Sequence, residues 1–339
     1  MNAVTPAQAQ PKTGAGPAPT GGGAQRAPVS PGAFSFMPVK SVKKSKYLNI
    51  LMYSAAGGGK TTLAGSAADV PESTYSKGFQ DMDSESSDVL LVSAEGGDIV
   101  FDDNPRIKHP GRIDMMKADR IEQVQKVYEW LKYHIHARDL NNGQGDEAQL
   151  RKLQNTAFFG NGAITLEEAD EIAPDFDNAR LRRYRTVIID SLTDIEAQNM
   201  NHIMGISDKG FDIGDDIQVA GFGEFRKNNN TIQQLVRAFR DLRIHVIIIC
   251  GQKYQQDELK RFHYGPWMTG QLATQIQSFV DIVGYMVPSA TAEGKEIRKL
   301  YVQPVPQVKF DAKCRIASYK KPSFDDPFFI DILRECKYV

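Results

Sequence analysis

Three consecutive glycines, Gly57, Gly58 and Gly59, run into Lys60, Thr61 and Thr62. Residue types in that order suit the grip of a phosphate chain. Glycines leave backbone N–H groups free to converge on phosphate oxygens. The lysine ammonium reaches the β- and γ-phosphates, and a threonine hydroxyl can hold a magnesium ion. The apolar run Leu48 to Tyr53 reads as a buried strand, and a helix expected from about Thr61 turns its positive end toward the same anion. The stretch Ser54, Ala55, Ala56, Gly57, Gly58, Gly59, Lys60, Thr61, Thr62 is therefore a P-loop, expected to hold ATP with Mg2+. The usual pattern begins with glycine, whereas Ser54 stands there. Serine reaches the backbone angle that glycine permits only at a cost, and the following glycines keep the loop permissive.

Cleaving a phosphoanhydride also needs a held metal and an oriented water. Asp190 ends the apolar run Val187-Ile188-Ile189 and is expected to hold magnesium through water, beside Thr61 as direct ligand. The plain alternative is a helix N-cap. Glu95 follows a second apolar run, Asp88 to Ser93, in the turn Ala94-Glu95-Gly96-Gly97. It is the candidate base for the attacking water, with a solvated turn glutamate as the plain alternative. Gln252, after the run Ile244 to Cys250, is placed to sense the γ-phosphate, although a lone loop glutamine would look the same.

These residues need a scaffold that brings strand tips together. Strands are expected at 48–53, 88–93, 184–190, 244–250, 281–287, 297–303 and 308–316. Helices are expected after the P-loop and over about 118–137, 222–242 and 272–278. Continuous apolar strands alternating with helices imply a mainly parallel α/β sheet covered on both faces. Ligands of such sheets gather at the carboxyl ends of the strands, where the P-loop, Glu95, Asp190 and Gln252 all fall.

Composition narrows the class further. The 339 residues carry 41 Lys and Arg against 42 Asp and Glu, which leaves the balance near neutral. Cys250, Cys314 and Cys336 form no C-x-x-C pair, so zinc or disulfide frameworks are not expected and a reducing compartment fits. No apolar run has the length of a membrane span and no secretory core opens the chain, so the expected location is the cytoplasm. Residues 1–40, rich in Pro, Gly and Ala, are expected to be a disordered tail. It leads to the basic cluster Lys40 to Lys46, suited to a polyanion or to solubilising the chain. Residues 41–321 would form the ATPase domain, with a polar insertion at 138–183 expected to be helical in part. Residues 322–339 would be a C-terminal segment.

Glu95 in an AEGG turn, the Walker B run VIIDS and a strand ending in Gln252 together resemble the RecA-type recombinase ATPases. Ser191 after Asp190 agrees with that arrangement. The segment Ile189 to Asp194, IDSLTD, and the late Lys313-Cys314-Arg315 are similar to compact RecA-like ATPases of bacteriophages that assist single-strand annealing. The likeness covers roughly residues 47–318, without the tail or the insertion. It implies a RecA-like P-loop NTPase core with Glu95 as catalytic base. It also implies that Lys313 and Arg315 reach the ATP site of a neighbouring subunit, in a homo-oligomeric ring or filament. Single-stranded DNA is the implied partner, a single-strand-binding protein a further one, and the cytoplasm of a host cell the location of a phage-encoded chain.

Two loops would face the DNA, about 201–223 and 253–274. The first is acidic. The second carries Lys260, Arg261, Phe262, Tyr264 and Trp267, and cations among aromatic rings suit single-stranded nucleic acid; subunit packing would use the same residue types. Two other readings share the core: a helicase, helicase loader or packaging motor, and a nucleotide kinase. The kinase reading leaves Glu95 and the Lys313/Arg315 pair without a task.

Overall fold

In the computed structural model the described residues are 47–71, 89–96, 98–101, 104–141, 184–206, 219–256, 262–306 and 308–339, all within the unit Ser45–Val339. The first apolar run becomes strand β1 (Asn49–Ser54), central in an eleven-stranded sheet. It pairs in parallel with β5 (His245–Gln256) on one side and β7 (Ile282–Ala290) on the other. Beyond β5 lie β4 (Thr186–Asp190), β2 (Val89–Ser93) and β3 (Ile113–Lys117), all parallel. Beyond β7, β8 (Glu296–Tyr301) and β11 (Ser323–Asp325) close the flank in antiparallel pairing.

Every residue of β1, β2 and β4 is buried, because helices cover both faces of the sheet. Side chains alternate between faces with the strand period of two. Leu51, Tyr53, Val187 and Ile189 join the core formed with α2 (Ile121–Asn141), α3 (Leu192–Ile203), α4 (Phe222–Arg240) and α5 (Leu272–Gln277). Ile50, Met52, Ile188 and Ile247 join the opposite core, with α1 (Lys60–Gly65) and α6 (Phe329–Glu335). A fully buried aliphatic side chain contributes about 1.5–3 kcal/mol. Val187, Ile188 and Ile189 thus supply enough to carry the buried carboxylate that ends their strand.

The mainly parallel, helix-flanked sheet expected from the sequence is the one observed. The differences are local. The run from Ile244 continues past Cys250 to Gln256 and turns back as β6 (Phe262–Pro266), a hairpin leaving the sheet. The strand expected over 308–316 is broken into β9 (Lys309–Phe310) and β10 (Lys313–Cys314). Asp311, at the break, has other bonds to make. Its carbonyl accepts from the Tyr53 hydroxyl at 2.7 Å, and its carboxylate from the Gln277 amide at 2.7 Å. Strand β3 had no reading in the sequence, and helix α3 had only the N-cap left open at Asp190. β3 has only Met116 buried, and α3 starts on a polar cap at Ser191. Residues 322–339 supply β11 and α6 to the same sheet and core.

The tail and Lys40 to Lys46, the insertion from 142 to 183, residues 207–218 of the first loop, and Lys260 and Arg261 lie outside the described residues. Among the described residues no helix is long and apolar enough to cross a membrane.

Candidate nucleotide site

The P-loop leaves the tip of β1 at Ser54 and enters α1 at Lys60. Left-handed backbone falls on Gly57 (φ 73°) and Gly59 (φ 92°), where glycine costs least, and not on Ser54. Ser54 is an ordinary strand residue paired with Gly251 of β5, so the expected backbone cost of serine does not arise. Its side chain has a role instead. A Cβ on Gly58 would lie 2.1 Å from the Ser54 hydroxyl oxygen, so the loop folds over that hydroxyl only because Gly58 has no side chain. The Lys60 ammonium donates to Ser54 Oγ at 3.0 Å, to the Ser54 carbonyl at 3.2 Å and to the Ala55 carbonyl at 3.2 Å. The lysine is thus folded back over the loop it serves. Burial lowers its pKa, against the opposing pull of Asp190 and Glu95.

Asp190 ends β4, two strands from β1, and its Oδ2 accepts from the Thr61 hydroxyl at 2.8 Å. The N-cap of α3 is Ser191, so Asp190 is released from the capping role that sequence left open. Only 5% of Asp190 is exposed, yet its Oδ1 has no hydrogen-bond partner among the described residues. Burial raises its pKa, while the Thr61 hydrogen bond and the Lys60 charge lower it. A buried carboxylate oxygen without a donor, beside a threonine hydroxyl, fits a hydrated magnesium ion, which needs few protein ligands. No cluster of three or more His, Cys, Asp or Glu among the described residues offers another metal site.

Glu95 lies just past the tip of β2, whose Ser93 is level with Asp190. Its pKa is raised, first by burial, then by the hydrogen-bonded Asp194 carboxyl and by the charges of Asp190 and Asp194; a hydrogen bond with Ser191 opposes this. Ser191 and Asp194, which the sequence offered only as part of the IDSLTD resemblance and with no role of their own, are hydrogen-bonded to each other at the first turn of α3. The Gln252 side chain is hydrogen-bonded to Tyr285. Tyr285 in turn stacks on Tyr53, with ring centroids 5.1 Å apart.

The hairpin of β5 and β6 exposes Tyr254 (66%), Phe262 (49%) and Trp267 (57%). Tyr254 and Phe262 meet edge to face at 5.9 Å. Tyr264, expected on the same surface, is used by the core: its ring stacks on Tyr285 and its carbonyl accepts from Tyr53. Thr193 of α3 ties the hairpin's base, accepting from Gly251 N and donating to the Trp267 carbonyl, both at 3.0 Å. Lys313 lies on β10, level with Val283 and hence with Leu51, three residues short of the tip of β1. It donates to the Gln277 carbonyl on the face opposite α1, and Arg315 follows it just outside the strand, exposed. Burial and Arg315 lower the Lys313 pKa to about 8. The Lys313 side chain thus points away from the face on which α1 and the P-loop lie.

A parallel sheet carrying a Walker A loop on one strand and its hydrogen-bonded Walker B carboxylate on another defines a P-loop nucleoside triphosphatase. The chain belongs to the AAA domain family (AAA_24), matched over residues 46–316, and family membership implies nucleotide binding. Among solved structures the chain is similar to a KaiC-like protein of the hyperthermophilic archaeon Pyrococcus horikoshii OT3. The identity is 11% and the TM-score 0.34, over 78% of this chain and 83% of that one. No curated protein matches the chain.

Proposed function

We propose that this P-loop ATPase hydrolyses ATP with Mg2+ and works on single-stranded DNA, in annealing or recombination, as a homo-oligomer of RecA-like design. The observation that carries the hydrolytic part is the hydrogen bond from Thr61 to Asp190, with the Lys60 ammonium and Glu95 close enough for their charges to act on one another. In the reaction Lys60 leaves its loop acceptors for the β- and γ-phosphates. Thr61 and Asp190 would hold the magnesium, which when bound would supply charge to offset that developing on the phosphates. Glu95 accepts the proton of the attacking water, and its raised pKa makes it a stronger base than an ordinary glutamate. Asp194 and Ser191 orient it from the first turn of α3.

The DNA part is supported by the exposed aromatic hairpin, which leaves the sheet at the same end as the P-loop. Rings of this kind stack on bases with little regard for sequence. The oligomeric part is supported by the Lys313/Arg315 pair, of which Lys313 points away from the P-loop face of its own subunit. The test is the ATPase rate with and without single-stranded DNA, together with particle size in both conditions. Stimulation by DNA is the expected result; no response to DNA overturns the DNA part. Directional unwinding of a duplex would move the reading to a motor. Turnover restored by mixing Lys60→Ala with Lys313→Ala chains is expected if the site is shared, and no complementation overturns the shared site.

A further inference from the structure

A cavity of about 360 Å3 opens beside the P-loop at Gly59 and Thr62 and is walled by Asn104, Met286 and Arg298, with Asp326 at its rim. Glu95 and Asp190 take no part in it. A triphosphate gripped by residues 57–62 must send its nucleoside somewhere, and this space adjoins the grip. We propose that it is the nucleoside pocket, with the Arg298 guanidinium as the plane on which the base stacks and the Arg106–Asp326 ion pair as the brace that fixes Arg298. The proposal rests on the triphosphate reading of the loop.

The volume lies in the range typical of small-ligand sites. The arm of Arg298 already lies along the loop: a Cβ on Gly59 would be 3.5 Å from its Cγ and 3.6 Å from its Cδ, and 3.3 Å from Met286 Cε. The floor at that point is therefore apolar, which suits the edge of a sugar or base. The guanidinium is bonded to Glu296, an exposed side chain that gives it little hold, so it is available to a ligand. A planar guanidinium stacks on aromatic rings as an ammonium cannot.

The brace is built from residues far apart in the chain. Asp326 has left-handed backbone (φ 46°), and its amide donates to the Arg298 carbonyl at 2.6 Å. Its carboxylate accepts from the Arg298 amide at 3.3 Å and from the Arg106 guanidinium. Arg106 lies over the Phe328 ring at 4.9 Å. These contacts fix the backbone of Arg298 while leaving its side chain free to turn. Asn104 has its amide engaged by the Val100 carbonyl and the Arg106 N–H, so stacking, not edge reading, is the contact on offer.

The test compares binding of Mg-ATP and of magnesium with inorganic triphosphate, which has no nucleoside, to the full chain by calorimetry. Arg298→Ala should weaken ATP about tenfold, the worth of one desolvated cation–ring contact, and leave inorganic triphosphate within about twofold. Arg298→Lys should recover only part of that loss, because the ammonium keeps the charge and loses the plane. Asp326→Asn, which tolerates left-handed backbone, should weaken ATP by a smaller factor. Equal loss of both ligands in Arg298→Ala would assign that residue to the phosphates and overturn the proposal. Full ATP affinity in Arg298→Ala or Arg298→Lys overturns it as well. Lys60→Ala separates this failure from the other: if it binds inorganic triphosphate as the natural chain does, the phosphate grip itself is wrong.

Discussion

The phosphate loop and the aromatic hairpin leave the same end of the sheet, yet they are prepared for the ligands proposed for them in opposite ways. In the loop every charged or hydroxyl group is already held. Lys60 lies on Ser54 and Ala55, and Thr61 on Asp190. A triphosphate with magnesium must exchange these contacts for its own. In the hairpin, Tyr254 and Phe262 meet edge to face and stay exposed. The loop is preorganised by polar bonds that a ligand replaces. The hairpin has a rigid base, where Thr193 bonds Gly251 and Trp267, and rings with surface to spare. Charge demands the first arrangement, because a buried ion without partners is costly. Stacking on bases tolerates the second.

The largest effect should come from the loop side. Glu95→Gln is expected to keep ATP bound and to lower turnover by about 100-fold or more, the usual worth of a general base, in single-turnover assays. Turnover near the natural rate would remove Glu95 from the chemistry. Next comes the hairpin. Tyr254→Ala and Phe262→Ala should each weaken single-stranded DNA by about 1–3 kcal/mol, read by fluorescence anisotropy. Unchanged affinity in both would dissolve the contrast drawn above.

A third test is the pH profile. Glu95 acts as a base only when ionised, and burial together with Asp190 and Asp194 raises its pKa. The rate should therefore fall, as pH is lowered, at a higher pH than an ordinary glutamate would give. Asp194→Asn removes one neighbouring charge and should move that acid limb downward; an upward move would contradict the assigned neighbours. The smallest effect is expected at Ser54→Ala. One of the acceptors that compete with phosphate for Lys60 disappears, so ATP should bind about threefold tighter by calorimetry. Weaker binding would mean that Ser54 readies the lysine instead of occupying it.

Legibility in the sequence followed the range of the interactions. The P-loop, the strands ending at Asp190 and Ser93, and the amphipathic helix at 222–240 were all readable from runs of neighbours. β3 was not, because an edge strand with one buried residue has no apolar signature. Tyr264 and Tyr254 look alike in sequence, and only the packing against Tyr285 divides the half-buried ring from the exposed one. Gln252 reads as a γ-phosphate sensor because it follows an apolar run, and its hydrogen bond with Tyr285 was not legible in the sequence.

By itself the sequence determined that this chain grips a phosphate chain and carries carboxylates at strand tips. Glycines, a lysine and a short apolar run act within a few residues of one another, so their order suffices. Tertiary structure alone decided that Thr61 meets Asp190 across 129 positions, that Ser54 lies under Gly58 and the lysine, and that Arg298 and Asp326 wall the space beside the loop. Those meetings depend on strand order and register, which are set by how whole faces pack and leave no mark on any one stretch of chain.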